Sequence, residues 1–466
     1  MDTEANQQTD NKKEPSKAKE VLVSLKNKTT HFYKLTGLYF QKFFHGHSLL
    51  IIGLIATIIS LTCRFLVATY PANDLAGIIF NWIEQIKDVG FTKFYTISAD
   101  YSDAYLFFIA LVSLFPEGNL ITVGSYTFSA TYMYIIKGVY FAVDVLAAFG
   151  IYLLVKEISN SKKLGLIGYI IFLALPVQFA NSAIWGNCDV IYVCLFIYCI
   201  YFILKDKDGL AWCMFGLALA QKPQSVFILP FLVYLLLNRK LKLYKIIYAV
   251  IAVFVSFLPA YICGASFTQP FKYFTNEMGM YSNLTLGCGN MWHLMNFSSS
   301  AMDIINKASA WIGLLLIGVF LAIVYLRKID LSKKENIFYV GVFLTAIVPF
   351  FLPHMHERYF YVLDTLIVAY CLIKKKHYYL IPLMQVSSGI AYYHYLSGNY
   401  FIEALGEDSV HISAFINLFV LIVIFYDLMK LDHSTKTKEE EVQELDAEIK
   451  NEKNQYLKGI NQNEKN

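Results

Sequence analysis

The chain has 466 residues, of which 57% are hydrophobic, 16% aromatic and only 16% charged, with a formal net charge of +4. A water-soluble protein carries roughly a quarter charged residues, so this composition excludes an ordinary soluble enzyme. The total charge says little; where the basic residues fall says more.

The apolar residues are gathered in long runs, among them 51–62, 132–155, 209–237, 246–265 and 310–326. A bilayer is crossed by about 20 largely apolar residues. Only helices or a closed barrel do so without leaving backbone groups unpaired, and these runs are too long and too uniformly apolar for barrel strands.

Residues 1–47 are polar and carry Lys12, Lys13, Lys17, Lys19, Lys26, Lys28, Lys34 and Lys42. The positive-inside rule places them in the cytoplasm, and so long a polar lead is not the start of a cleavable signal. Residues 32–44 read as an aromatic, basic helix on the membrane surface. A first span over 48–69 runs outward into a large outer loop, 70–130. Within that loop, 74–89 places Leu75, Ile78, Ile79, Trp82, Ile83 and Ile86 at helical spacing. The apolar run 104–115 is short for a span. Counting it as one would also move Lys156, Lys162 and Lys163 outside, so it reads as a re-entrant or interfacial helix.

Spans follow at 132–155, 164–180 and 189–204. The run 209–237 has basic residues at both ends, which two short arms turning at Gln221-Lys222-Pro223-Gln224 explain. Such a turn belongs inside a protein cavity, below the outer surface. The run 246–265 leads to a second outer loop, 266–305, and spans at 306–326, 337–352, 359–373, 378–396 and 411–429 complete the series. The expected fold is an all-α polytopic membrane protein, a bundle of about twelve transmembrane helices over 48–429 with a large helical first outer loop. A charged, solvated cytoplasmic tail covers 430–466. There is no internal repeat of the kind that marks many transporters. The eight cysteines show no metal-ligand spacing. Cys188 and Cys288 fall on the outer side, where pairing and the reduced state are both open.

Charges at membrane depth or on its outer side are costly and mark candidate functional residues. Asp74, after Tyr70-Pro71-Ala72-Asn73, opens the amphipathic helix; capping that helix and acting on a substrate both suit it. Asp100-Tyr101-Ser102-Asp103 precedes the short helix, where an acid caps it or an acid–aromatic cluster holds sugar hydroxyls. In the outer turn Asn181–Asp189, Trp185 suits an interfacial aromatic belt or a ligand contact, and Asp189 a helix cap or a ligand contact. Lys222 and the run His354-Met355-His356-Glu357-Arg358 set positive charge against the charge rule. An internal Glu357–Arg358 ion pair is one reading of that run, and an anion site the other, since Lys and Arg clamp phosphate well. Asn290 and Trp292 of the second outer loop are further candidates for sugar or acceptor contact. A carboxylate among cations suits glycosyl transfer from a lipid phosphate. The phosphate leaves as an anion and needs cations, while the acceptor hydroxyl needs one base.

These stretches resemble the membrane-embedded glycosyltransferases of the GT-C superfamily, and within it the bacterial relatives of the GPI-anchor mannosyltransferases. The resemblance is carried by Asp74-Leu75-x6-Trp82, Ala99-Asp-Tyr-Ser-Asp-Ala-Tyr-Leu106 and Asn181-Ser-Ala-Ile-Trp-Gly-Asn-Cys-Asp189. Phe215-Gly-Leu-Ala-Leu-Ala-Gln-Lys-Pro-Gln-Ser225 and Leu352-Pro-His-Met-His-Glu-Arg-Tyr-Phe360 continue it. It implies a shared core in the first seven spans and a catalytic base at Asp74. It also implies an undecaprenyl- or related polyprenyl-phosphate sugar donor and inversion at the anomeric carbon, without metal or other cofactor. Lys222, His354, His356 and Arg358 would face the donor phosphate, and Asp100, Asp103, Trp185, Asp189, Asn290 and Trp292 are candidates for sugar or acceptor contact. Ser102-Asp103 replaces small or proline residues of that family and Asn187 a common Gln, so mannose, glucose and similar hexoses all stay open.

The expected activity is transfer to a cell-envelope glycan or glycolipid on the outer face of the cell membrane. Both termini would be cytoplasmic, with no nucleic-acid partner. A transporter or flippase of lipid-linked sugars would use the same cations but needs no base at Asp74. A scaffold working through the charged tail leaves Lys222 and the His-Glu-Arg run unexplained.

Overall fold

The computed structural model describes residues 46–124, 126–277, 283–295, 299–399 and 401–433, with Lys28, His31, Lys34 and Lys450 as isolated positions. The surface helix expected over 32–44, most of the basic segment 1–47 and the tail beyond residue 433 lie outside them. The chain divides into two compact units, Met1–Ala56 and Thr57–Asn466. The first contributes the start of helix α1 (Gly46–Leu66); the candidate site residues belong to the second.

The outer loop is helical, as its periodicity requires. A π-helical turn, Asp74–Ile79, runs into α2 (Phe80–Val89), and together they bury Leu75, Ile79, Trp82, Ile83 and Ile86. Gly90 stops α2 at φ +88, a conformation open to glycine. A 3-10 turn, Phe91–Thr96, leads to α3 (Asp103–Ser113), whose 11 residues are about half a span. Ser102 caps α3, its Oγ accepting from the Tyr105 N–H at 3.3 Å. The cap expected of an acid therefore comes from the hydroxyl between Asp100 and Asp103. A hairpin of β1 (Leu120–Val123) and β2 (Tyr126–Ser129) follows, in a part of the outer loop for which the sequence suggests no element.

Next come α4 (Ala130–Ser159), α5 (Lys162–Ala174) and α6 (Pro176–Phe179), the last continuing as a π-helical turn, Ala180–Trp185. Pro176 has no N–H to bond back into the helix, and the chain bends there by 51°. α7 (Asp189–Leu204) leads to α8 (Asp208–Gln221). Lys222 then turns extended, at φ −147 and ψ 140, and a 3-10 turn, Pro223–Ile228, starts α9 (Leu229–Leu237). The run 209–237 is thus two arms meeting at Lys222. α10 (Ile247–Ser256), α11 (Leu258–Ile262) and α12 (Gln269–Glu277) lead to β3 (Thr285–Leu286). After α13 (Ser299–Leu326) and α14 (Lys334–Phe351), β4 (Met355–His356) pairs in parallel with β3. α15 (Tyr361–Lys374), α16 (Leu380–Ser397) and α17 (Ser409–Met429) close the bundle.

Among the described residues, five helices are long and apolar enough to cross a bilayer, or six with α5–α6 as one bent span. The expected count of about twelve does not follow from helix length, because breaks at Lys222-Pro223 and Phe257 shorten the apolar runs. All eight cysteines are free thiols, and Cys188 and Cys288 are buried without pairing.

The core packs α4 against α5 and α7, α7 against α8, and α8 against α10. Gly216 sets the last approach: a Cβ there would lie 2.3 Å from the Ala249 carbonyl oxygen. Small residues let membrane helices come this close. Gly216→Ala is expected to lower the melting temperature of the detergent-solubilised protein, at a cost of about 1–3 kcal/mol. Gly138→Ala, whose new Cβ meets nothing within 4 Å, should not lower it.

Candidate active site

The breaks in the helices bring the charged residues together. Asp189 opens α7 with its side chain fully buried. The Lys222 ammonium donates to its Oδ1 at 2.6 Å, and Asn181 Nδ2 donates to its Oδ2 at 3.4 Å. Arg358 Nε stands 3.5 Å from the same Oδ2. The carboxylate therefore holds two cations and does not cap its helix. Lys222 also donates to Asn187 Oδ1 at 3.1 Å and lies 4.9 Å over the Tyr101 ring. Arg358 forms the foreseen pair with Glu357, at 2.7 Å, with its guanidinium 5.4 Å over the Trp185 ring. Burial pushes the Glu357 carboxyl up, but the bond to His356 and the Arg358 charge outweigh it and hold it below the usual carboxylate range.

Asp74 sits one residue inside its π turn, with Asn73 at the cap position, and its carboxylate points elsewhere. Oδ2 accepts from Trp185 Nε1 at 2.9 Å and from Asn187 Nδ2 at 3.5 Å, and Oδ1 accepts from the Tyr395 hydroxyl. Trp185 is fully buried, not part of an interfacial belt. Its ring stacks on Tyr395, centroids 4.5 Å apart at 16°, and meets the edge of Tyr392 at 5.0 Å. Asn187 is the link between the two groups, donating to Asp74 while accepting from Lys222.

Of the two histidines, His354 precedes β4 and His356 lies on it. His354 adopts φ +60 and its Nδ1 lies 2.6 Å from the Asn283 carbonyl oxygen. His356 Nδ1 is 3.6 Å from Glu357, and its ring meets Tyr359 at 5.3 Å. Asp100 is exposed. Asp103 is buried, and among the described residues its Oδ2 has no hydrogen-bond partner. Asn290 and Trp292 are buried with their donors turned to backbone. Asn290 Nδ2 reaches the carbonyls of Pro349 and Leu352, and Trp292 Nε1 that of Phe351, at the end of α14.

Sequence reasoning missed Tyr395, which carries no signal in the tyrosine-rich end of α16. It also passed over Lys137 and Asp144, two ionisable residues inside the apolar run of α4, although charges at that depth are informative in themselves. Asp144 pairs with Arg64 at 3.0 Å, both buried. Among the described residues, no group of three or more His, Cys, Asp or Glu side chains is placed to hold a metal ion.

A family model, glycosyltransferase family 87, matches residues 106–353, more than half of the chain. The chain belongs to glycosyltransferase family 87. That family is of the GT-C type, so the protein is a multi-pass membrane glycosyltransferase. No curated relative matches it. The matched stretch of this family 87 transferase contains Trp185, Asn187, Asp189 and Lys222; Asp74 precedes it, and Arg358 and Tyr395 follow it.

Burial raises the Asp103 carboxyl from 3.8 to about 6, against a lowering bond from Gln269. An acid whose folded value is raised loses stability as pH climbs from the unfolded value, and the loss is complete above the folded one. In the family 87 transferase, Asp103→Asn is therefore expected to stabilise the fold at pH 7.5 by up to about 3 kcal/mol. The gain should vanish below pH 4 in melting curves taken across that range.

Proposed function

We propose that this protein is an inverting transferase that moves a hexose, mannose, glucose or similar, from a polyprenyl-phosphate donor to a cell-envelope glycan or glycolipid. The reaction takes place on the outer membrane face, with both termini cytoplasmic; the Lys-rich segment 1–47 supports that orientation. The observation that carries the reading is the setting of Asp74. Three donors hold its carboxylate, and Asn187 joins it to the cation cluster.

In this reading the acceptor hydroxyl oxygen attacks the anomeric carbon from the side opposite the phosphate, and its proton passes to Asp74. The bond from the anomeric carbon to the phosphate oxygen breaks, and its electron pair leaves on the lipid phosphate. Among the described residues Oδ1 accepts only from Tyr395, which leaves it a lone pair for the incoming hydroxyl. Lys222 and Arg358 have N–H groups beyond those given to Asp189, Asn187 and Glu357, and His354 and His356 complete the side that meets the phosphate. Trp185 and Asp189 hold the base and the cations in place. Asp100 and Asp103 stand at the start of α3 for the sugar or acceptor, and Asn290 and Trp292 shape the wall beside α14. Family membership and a placed carboxylate both favour a transferase over a flippase of lipid-linked sugars.

The test is transfer of labelled hexose from undecaprenyl-phosphate donors to extracted envelope glycans by the purified protein in lipid. Asp74→Asn should lower kcat by about a hundredfold or more with donor binding kept; turnover that survives this substitution moves the base elsewhere. Arg358→Ala should act mainly on the donor, raising its KM, in the same assay; an unchanged donor KM would remove Arg358 from the phosphate side.

A further inference from the structure

Lys137 lies on α4, in an apolar run, and is fully buried. Among the described residues its ammonium meets no carboxylate. It donates instead to three backbone carbonyls: Tyr70 at 2.9 Å, Ala183 at 2.8 Å and Ile184 at 3.2 Å. Those carbonyls belong to two separate segments. Tyr70 follows the end of α1 and precedes Asp74 by four residues. Ala183 and Ile184 end the π-helical turn that carries Trp185 and leads to Asn187. Carbonyls at a helix C-terminus carry partial negative charge and attract a cation, and three N–H groups satisfy three acceptors in one place.

The stem of the lysine is fitted as closely as its head. Gly186 adopts φ +71, and a Cβ there would lie 2.8 Å from Lys137 Cε and 2.5 Å from Leu75 Cδ2. The turn bearing Trp185 and Asn187 therefore rests on Lys137 and on the residue next to Asp74 at the same point.

We infer that Lys137 is a positioning residue: its ammonium ties the Tyr70–Asp74 segment to the Trp185–Asn187 turn and so sets where the Asp74 carboxylate stands. It does so without touching substrate. The functional half of this inference rests on Asp74 being the base; the tie itself does not. Displacing a reacting group by about 1 Å from a distance costs on the order of a hundredfold in rate.

The experiment pairs hydrogen–deuterium exchange with kinetics on the full-length protein in lipid, comparing wild type, Lys137→Met and Asp74→Asn. Lys137→Met keeps the stem and removes the charge. Expected are faster exchange in both segments, 70–76 and 183–188, with α13–α17 unchanged, and kcat down ten- to a hundredfold with donor KM within about threefold. Adding Lys137→Met to Asp74→Asn should cost little further residual turnover, because the two act on one step. Unchanged exchange in either segment overturns the tie. Faster exchange with unchanged kcat overturns the positioning role. If Asp74→Asn keeps its activity, the base assignment fails while the exchange result still decides the tie. Should Lys137→Met not fold, Gly186→Ala pushes the same stem and Leu75 apart and must give the same paired loss of protection; intact protection there overturns the tie.

Discussion

The architecture around the candidate site depends on one buried carboxylate, that of Asp189, and on the two cations that meet it. Stripping water from a charge costs several kcal/mol, and a buried ion is tolerated when it is paired and hydrogen-bonded. Asp189 is inaccessible to solvent and Lys222 almost so. Neither has a solvated alternative, so each fixes the other. Their backbones belong to different elements: the start of α7, the break after α8 and the loop before α15. A straight helix through Lys222 would carry its ammonium away from Asp189, so the extended turn at that residue and the pairing require each other.

From this cluster order passes outward by hydrogen bonds. Asn187 orients one way towards Lys222 and the other towards Asp74, which fixes its amide. Trp185 does the same with two surfaces, its N–H on Asp74 and its ring beneath Arg358. The carboxylate of Asp74 is thus held by groups that are themselves held, and it keeps a partly exposed edge. This is the arrangement that the proposed base needs: rigid neighbours around a carboxylate that is not fully buried.

Much of this was legible in the sequence, and the reasons for the rest are specific. Helix boundaries near Ala130, Asp189 and Gln221 follow from hydropathy and basic clusters. The break at Lys222 follows from charge at both ends of one apolar run. Asp74, Trp185, Asp189, Lys222 and Arg358 stood out as polar residues where polar residues are costly, and the structure brings them together. Ser102 displaced its acidic neighbours as the cap because a hydroxyl one position earlier already reaches the Tyr105 N–H. Asn290 and Trp292 look like ligand contacts in a loop, yet their donors face the carbonyls that α14 leaves open at its end. Tyr395 was illegible because its partner lies 321 positions away, beyond the reach of any local pattern. Lys137 is masked by the apolar run around it, whose length alone already marks a span.

The contact between Tyr395 and Asp74 bears on how the protein comes into being. Chains are made from the N-terminus, and their early parts settle first. Asp74 is made 321 positions before Tyr395, and Asp189 likewise waits for Arg358. Until those later residues are in place, the earlier polar groups lack their final partners. The setting of Asp74 is therefore finished only when α16 has been made and has packed.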